Sequence, residues 1–350
     1  MLSRVNKLCE KLYDNEAVFI SSYPNIFYYS GFTSEDAYLI ISHNERILIT
    51  DSRYTIQAHN QAQDFEIVDL TEGFKKIFER VSASYIGFEE DVVSVSLSQK
   101  LQTAFDGKKT LVPMQKKISS LRQIKDKDEI RHIREAERLG DEAFTYVLDK
   151  IKVGATEREI ALELEFFMKR HGASALSFDT ISASGIRGAM PHGVATDKPL
   201  EDGDLLTLDF GCVYEGYCSD MTRTVALGHV NDKQKEIYDT VLKAQLAALE
   251  IIKPGIKCAD VDAAARKVIE DAGYGKNFGH ALGHSVGIEI HETPVFSTKS
   301  KDIVQTGHVI TVEPGIYVEN FGGVRIEDLT AVTDNGIENL AHSPKELIIL

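Results

Sequence analysis

The chain has 350 residues, more than one hydrophobic core usually supports, so we expect two domains. Hydrophobic residues make up 43% and charged residues 27%, as in ordinary globular proteins. The formal net charge of -15 leaves no excess of lysine and arginine to neutralise phosphates, which argues against nucleic acid as the main partner.

The cellular setting follows from what the sequence lacks. Residues 1–19 contain no uninterrupted apolar core of a signal peptide, and no run of about 18 apolar residues predicts a membrane span. The four cysteines form no C-x-x-C pair and are expected to be small buried thiols in a reducing compartment. We therefore expect a cytoplasmic protein without a membrane partner.

Residues 1–120 are predicted to form a compact α/β domain. Short apolar runs alternate with turn residues over 17–50, which predicts strands at AVFISS, NIFYYSGF, AYLIIS and RILIT. Residues 53–63 and 71–84 are predicted to be helical, and SYIGFE and TLVPM to be further strands. The polar, lysine-rich segment 116–127 is predicted to be a solvated linker to a second domain, residues 121–350.

The second domain is predicted to repeat one order of elements. A helix over 127–151 is followed by a second helix, opened by a capping box of Thr156 and Glu159, and then by a hairpin turning at Glu215-Gly216. Helices over 232–253 and 259–272 and another hairpin follow. This order, together with the paired stretches TLDFG and TVEPG, predicts an α+β domain with an internal duplication.

Two acids are predicted to converge on each hairpin. With a two-residue turn at 215–216, Asp209 is a diagonal neighbour of Asp220 on one face, at roughly 7–8 Å between backbones. A three-residue turn would break this parity. In the second hairpin a loop centred on Asn320 places Glu313 opposite Glu327.

These acids, with a histidine between the hairpins, suit a pair of divalent cations. Each acid alone is most simply a solvent-exposed strand residue. All four, however, lie in apolar strands, where unpaired charges are costly. Carboxylate-rich ligation with one imidazole favours Mn²⁺, Co²⁺, Zn²⁺ or Fe²⁺, and such pairs activate water for hydrolysis.

Several motifs resemble the pita-bread metallopeptidases, the family of methionine aminopeptidase, aminopeptidase P and prolidase. The matching stretches are MPHG (190–193), LDFG (208–211), SDMTRT (219–224), GHALGHSVGIEIHETP (279–294), TVEPGIY (311–317) and GVRIED (323–328). In the first domain, YYSGF (28–32) and TDSRYTIQA (50–58) are similar to the leading domain of the creatinase, prolidase and aminopeptidase P branch. The resemblance spans nearly the whole chain.

The resemblance implies a role for each site residue. The metal ligands are expected to be Asp209, Asp220, His284, Glu313 and Glu327. His280 is the rival of His284 as the imidazole ligand. The catalytic residues are expected to be His192, His291 and Glu313, with Glu313 moving the proton of the attacking water. The substrate-binding residues are expected to be His192, His280, His291, Tyr317 and Arg325, the last two also being candidates for a purely supporting role.

The resemblance also implies an activity: hydrolysis of the peptide bond before proline in short peptides, with two divalent metal ions, Mn favoured over Co or Zn, and a homodimeric assembly. Prolidases hold the dipeptide carboxylate with a cation, commonly an arginine between the HE motif and the VEPG strand. That segment has none here, only Lys299 and Lys301. The main prediction is therefore an aminopeptidase P-like activity, and the alternative is an Xaa-Pro dipeptidase. A creatinase-like hydrolase without metal and a non-catalytic interaction protein are remote alternatives.

Overall fold

The computed structural model describes residues 1–350 and divides into two compact units, Met1–Arg122 and Gln123–Leu350. The predicted combination of an α/β unit with an α+β unit is confirmed. No helix has both the length and the apolar character that a membrane crossing requires.

The first unit is built on a six-stranded mixed sheet with the strand order β4-β3-β2-β1-β5-β6. Its strands are β1 (Glu16–Ile20), β2 (Ala37–Ile41), β3 (Arg46–Thr50), β4 (Glu66–Asp69), β5 (Tyr85–Phe88) and β6 (Thr110–Pro113). Its helices are α1 (Leu2–Cys9), α2 (Tyr23–Ser30), α3 (Thr55–Gln61), α4 (Phe74–Glu79), α5 (Val95–Phe105) and α6 (Gln115–Ser119). Phe19, Ile49 and Phe78 lie in the core of this unit.

Two predictions for this part of the chain are wrong. NIFYYSGF is not a strand: residues Tyr23–Ser30 form α2, with a proline in the first turn and Gly31 ending the helix at φ 76°. A short apolar run fits either structure, and proline near its start with glycine at its end decides for a helix. The segment 116–127 is not a solvated linker, since it contains most of α6 and a 3₁₀ turn at Ser120–Gln123 and buries Lys125.

The second unit contains two pairs of long helices. They are α7 (Lys127–Leu148), α8 (Glu157–Arg170), α9 (Asp232–Ile251) and α10 (Cys258–Asp271). The predicted capping box of Thr156 and Glu159 opens α8. One apolar core lies against α7 and α8, and a second lies against α9 and α10. The repeated order of helix pair and hairpin is therefore present, as the sequence predicts.

The strands of the second unit form four small sheets. The strands are β7 (Ala175–Leu176), β8 (Ile181–Ser184), β9 (Leu205–Phe210), β10 (Cys212–Tyr214), β11 (Tyr217–Cys218), β12 (Met221–Ala226), β13 (Gly283–Ser285), β14 (Glu292–Phe296), β15 (Val309–Val312), β16 (Gly315–Val318), β17 (Gly322–Arg325), β18 (Asp328–Thr333) and β19 (Gly336–Asn339). The sheets have the orders β11-β10-β7, β12-β9-β8, β14-β13-β15-β18-β19 and β16-β17. All the residues that the sequence analysis assigns to the site lie in this unit.

Candidate metal centre

The first hairpin has the predicted register. Tyr214 pairs with Tyr217 across the two-residue turn, and both turn residues have positive φ, as the tight hairpin turn requires. The same register continues into β9 and β12, where Asp209 faces Thr222. Asp209 is therefore diagonal to Asp220 on one face of the hairpin.

The second hairpin also has the predicted register. Gly315 pairs with Arg325, and Val312 pairs with Asp328, so the intervening Glu313 and Glu327 face each other. Each carboxylate lies in a short break between two strands: Glu313 directly follows β15, and Glu327 directly precedes β18.

The structure brings the predicted ligands into one buried cluster. Carboxylate oxygens of Asp209, Asp220 and Glu327 lie within 4.8 Å of one another, and these residues are only 9%, 4% and 1% exposed. His284 Nε2 lies 3.5 Å from Asp220 Oδ2 and 3.5 Å from Glu313 Oε1. All five side chains therefore point toward a common space.

The arrangement favours His284 over His280 as the imidazole ligand. His280 Nε2 lies 3.0 Å from the Tyr317 hydroxyl, and its Nδ1 lies 2.7 Å from the Ala281 carbonyl oxygen, so both ring nitrogens have partners other than the acids. Burial lowers the pKa of both histidines to about 4, which leaves the rings neutral near pH 7. A neutral imidazole is the form that binds metal ions.

The acids fit divalent cations on two further observations. Asp209 Oδ1 and Glu327 Oε1 are buried and have no hydrogen-bond partner, although buried polar atoms nearly always have one. Burial and the neighbouring carboxylates raise the pKa of Asp220 and of Glu327 well above the ordinary range, and burial raises the pKa of Glu313 to about 8. A cation among these oxygens would satisfy them and remove the repulsion.

Arg325 is the structural support of the cluster. Its Nη2 donates to Asp209 Oδ2 at 2.5 Å, its Nη1 donates to the Tyr317 hydroxyl at 2.8 Å, and its Nε donates to Thr222 Oγ1 at 3.1 Å. The Thr222 hydroxyl in turn donates to Glu327 Oε2 at 2.7 Å. Arg325 therefore holds Asp209 directly and Glu327 through Thr222, while Tyr317 contacts Arg325 and His280 rather than a ligand.

The two remaining predicted residues lie at the edge of the cluster. His291 is exposed, and its ring centroid is 4.4 Å from that of His284. His192 is also exposed, and it directly follows Pro191, whose carbonyl oxygen accepts a hydrogen bond from Arg325. Both side chains are open to solvent on a surface where a peptide could reach them.

Sequence reasoning missed several supporting residues. Glu137 on α7 is fully buried and accepts a hydrogen bond from the Asp220 backbone N–H at 3.2 Å. Thr311 donates to Glu313 Oε1 and accepts from the His284 N–H. Glu137 had a detectable signal, because it falls on the apolar face of the predicted helix. Thr311 had none beyond its place in the TVEPG stretch.

Comparisons with known proteins agree with this architecture. The model of metallopeptidase family M24 matches residues 131–334, and the model of the creatinase/prolidase N-terminal domain matches residues 2–124. The chain is 39% identical over 361 residues to an Xaa-Pro dipeptidase of Pyrococcus horikoshii, with 99% of both chains covered.

Two solved structures are similar over almost the full length. An Xaa-Pro dipeptidase from Bacillus anthracis superposes with a TM-score of 0.96 at 41% identity, covering 100% of this chain and 99% of the other. An X-Pro aminopeptidase from Thermotoga maritima superposes with a TM-score of 0.91 at 39% identity, covering 98% and 99%. With more than half of its residues matched by the family model, the chain belongs to metallopeptidase family M24 and is an enzyme.

Proposed function

We propose that this enzyme hydrolyses the peptide bond preceding proline in short peptides and that Xaa-Pro dipeptides are its preferred substrates. The observation that carries the proposal is the convergence of Asp209, Asp220, His284, Glu313 and Glu327 on one buried space with unpartnered oxygens. The names of the relatives at 39–41% identity supply the proline specificity.

The ligand set would hold two divalent ions. Asp209, Asp220, His284, Glu313 and Glu327 are the residues that would hold these ions. When bound, the ions supply the Lewis acidity that makes water a nucleophile near neutral pH. Because the set is rich in carboxylates, Mn²⁺ is the favoured ion, with Co²⁺ and Zn²⁺ as alternatives.

The side chains of this chain perform the remaining steps. Glu313 accepts the proton of the attacking water and passes it to the nitrogen of the leaving proline. His192 and His291 donate hydrogen bonds to the carbonyl oxygen of the scissile bond as negative charge develops on it. His280, next to Tyr317, lines the pocket for the substrate proline. Because the proline amide has no N–H, this pocket recognises the ring by its shape and apolar packing.

The dipeptide preference replaces the aminopeptidase P-like activity that the sequence favoured. That prediction rested on the absence of arginine between the HE motif and the VEPG strand, with Lys299 and Lys301 as the only cations there. The dipeptidase names of several relatives weigh against it. The aminopeptidase remains the second candidate, because the X-Pro aminopeptidase structure is similar over the whole chain.

The deciding experiment compares rates on Ala-Pro and Ala-Pro-Ala with Mn²⁺-loaded enzyme. A kcat/KM about 10-fold or more higher on the dipeptide is expected, since a free proline carboxylate would then be bound. Faster cleavage of the tripeptide would assign the aminopeptidase instead. Asp209→Ala is expected to abolish both activities, whereas Asp197→Ala, an acid on the surface, serves as the matched control.

The remote alternatives make different predictions. A creatinase-like hydrolase needs no metal, and an interaction protein needs no activity. Metal analysis of the purified enzyme, with and without a chelator, tests the first, and family membership already makes the chain an enzyme.

We further propose a homodimer in the cytoplasm. The four cysteines are free and buried, which suits a reducing compartment, and light scattering at micromolar concentration tests the assembly.

A further inference from the structure

His192 lies on an exposed loop that buries little apolar surface. We call residues 185–195 the histidine loop; it follows β8 and begins with a 3₁₀ turn at Gly185–Ala189. Its apolar side chains Ile186, Met190 and Val194 are 63%, 44% and 54% exposed. They contribute little to a core, so burial of apolar surface does not hold the loop in place.

A buried carboxylate holds the base of the loop. Glu157, the first residue of α8, is 0% exposed. Its Oε1 accepts hydrogen bonds from the N–H (2.8 Å) and hydroxyl (2.9 Å) of Ser184, the residue before the loop. Its Oε2 accepts from the N–H (3.1 Å) and hydroxyl (2.7 Å) of Thr196, the residue after the loop.

The same carboxylate reaches into the loop. Arg187 Nε donates to Glu157 Oε2 at 3.0 Å, and Arg187 Nη2 donates to the Val194 carbonyl oxygen at 2.6 Å. Glu157 therefore fixes the start, the interior and the end of the histidine loop at once. Because charge-assisted hydrogen bonds are roughly twice as strong as neutral ones, this one group can restrain the whole segment.

The other end of the loop contacts the metal centre. Arg325 Nη1 donates to the carbonyl oxygen of Pro191 at 3.1 Å, while Nη2 of the same guanidinium binds Asp209. Backbone packing adds to this attachment, because a Cβ on Gly323 would lie 2.1 Å from the Gly188 carbonyl oxygen. His192 thus follows directly after a residue tied to the ligand cluster.

We propose that Glu157 is a positioning residue that holds His192 at the scissile bond by restraining the histidine loop. This rests on the proposed function, because it takes His192 to be the residue that contacts the substrate. Glu157 itself touches no reacting atom. Its removal frees the loop while the metal ligands keep their own contacts.

A double-mutant comparison tests the proposal. Glu157→Gln is expected to lower kcat/KM on Ala-Pro by about 10- to 100-fold, the range for residues that orient ligands. In a His192→Ala background the same change should cost less than about 3-fold, because two residues acting as one unit are not additive. Equal losses in both backgrounds would show that Glu157 acts through the fold and would overturn the proposal.

Limited proteolysis gives a readout that does not depend on activity. Trypsin cleavage after Arg187, followed by mass spectrometry, should be about 10-fold faster in Glu157→Gln, because local opening exposes the bond. Asp141→Asn is the matched control: Asp141 also holds a backbone turn, through the N–H groups of His342 and Ser343. The Asp141→Asn variant should be cleaved at Arg187 at the wild-type rate. If Glu157→Gln were also cleaved at the wild-type rate, the inference would be wrong.

Two further results separate the possible failures. Thr196→Val removes one donor and should give an intermediate cleavage rate, which keeps the test available if Glu157→Gln does not fold. If the wild-type enzyme does not cleave Ala-Pro, the proposed function fails, while faster cleavage of the Glu157→Gln loop would still establish the anchoring.

Discussion

At the scale of single residues, the site depends on side chains that hold other side chains. Arg325 contacts Asp209, Tyr317, Thr222 and the Pro191 carbonyl oxygen at once. Its planar guanidinium can serve these four acceptors because its donors point in fixed, diverging directions. Arg325 therefore sets the orientation of a metal ligand and of the histidine loop together.

Replacing the Arg325 guanidinium with a lysine ammonium should weaken metal binding. In Arg325→Lys the ammonium cannot reach all four acceptors, so Mn²⁺ affinity is expected to fall about 10- to 100-fold. Isothermal titration of the chelator-stripped protein measures this affinity directly. Lys345→Met, which removes a cation bound to Asp328 instead, is the control, and equal losses in the two variants would point to a general electrostatic effect.

His308 should make stability depend on pH. Its Nε2 is buried without a hydrogen-bond partner, and burial, with help from Lys125, lowers its pKa to about 4. In the unfolded chain the pKa is about 6.5, so between pH 6.5 and 4 the unfolded state binds more protons. The contribution of His308 to the free energy of unfolding is therefore complete above pH 6.5 and is lost as the pH falls toward 4.

Replacement of His308 isolates this contribution from those of the other histidines. In His308→Gln the free energy of unfolding should fall less steeply with decreasing pH, by up to about 1.4 kcal/mol per pH unit. Urea unfolding at several pH values between 4 and 7 measures the slope. Identical slopes in both proteins would mean that His308 does not titrate in this way.

At the scale of elements, the strands carry the ligands and short contacts set the spacing between them. β13 passes so close to the strand beside it that a Cβ on Gly283 would lie 2.0 Å from the Thr311 carbonyl oxygen. Gly283 directly precedes His284, and Thr311 contacts both His284 and Glu313. Only glycine allows this approach of two backbones.

Gly283→Ala should therefore affect both stability and metal binding. Separating the strands is expected to cost about 1–3 kcal/mol of unfolding free energy and to lower Mn²⁺ affinity, because His284 moves with the strand. Gly279→Ala is the control, since a Cβ there meets no atom within 4 Å and both quantities should stay near the wild-type values. Thermal unfolding and metal titration of the two variants provide the comparison.

At the scale of the whole molecule, metal binding should be linked to folding of the second unit. Asp209 belongs to the first hairpin and Glu327 to the second, and each has a buried oxygen without a hydrogen-bond partner. Folding packs the two hairpins with their apolar cores and so brings together ligands that are far apart in the unfolded chain. Mn²⁺ at about 100 times its dissociation constant should add about 2.7 kcal/mol of stability. A chelator should lower the Tm of the wild type and leave that of Asp220→Ala unchanged; equal shifts would exclude this linkage.

The sequence determined the pattern, and with it the main features of the site. Alternation and turn residues determined the hairpin registers that bring Asp209 near Asp220 and Glu313 opposite Glu327, and a capping box determined the start of α8. These are local properties, decided by neighbours in the chain. The helix at Tyr23–Ser30 was wrongly predicted as a strand because a short apolar run by itself fits either structure.

Only the tertiary structure decided which residues support the ligands. Glu137, Glu157, Thr222 and the Pro191 carbonyl oxygen reach the site or the histidine loop through contacts between segments far apart in the chain. The sequence already favoured His284 over His280 as a ligand; the tertiary structure adds that His284 Nε2 lies near Asp220 and Glu313, whereas His280 Nε2 lies near the Tyr317 hydroxyl. Sequence periodicity reports which face of an element a residue occupies, whereas the partner opposite that face is fixed only when the elements pack.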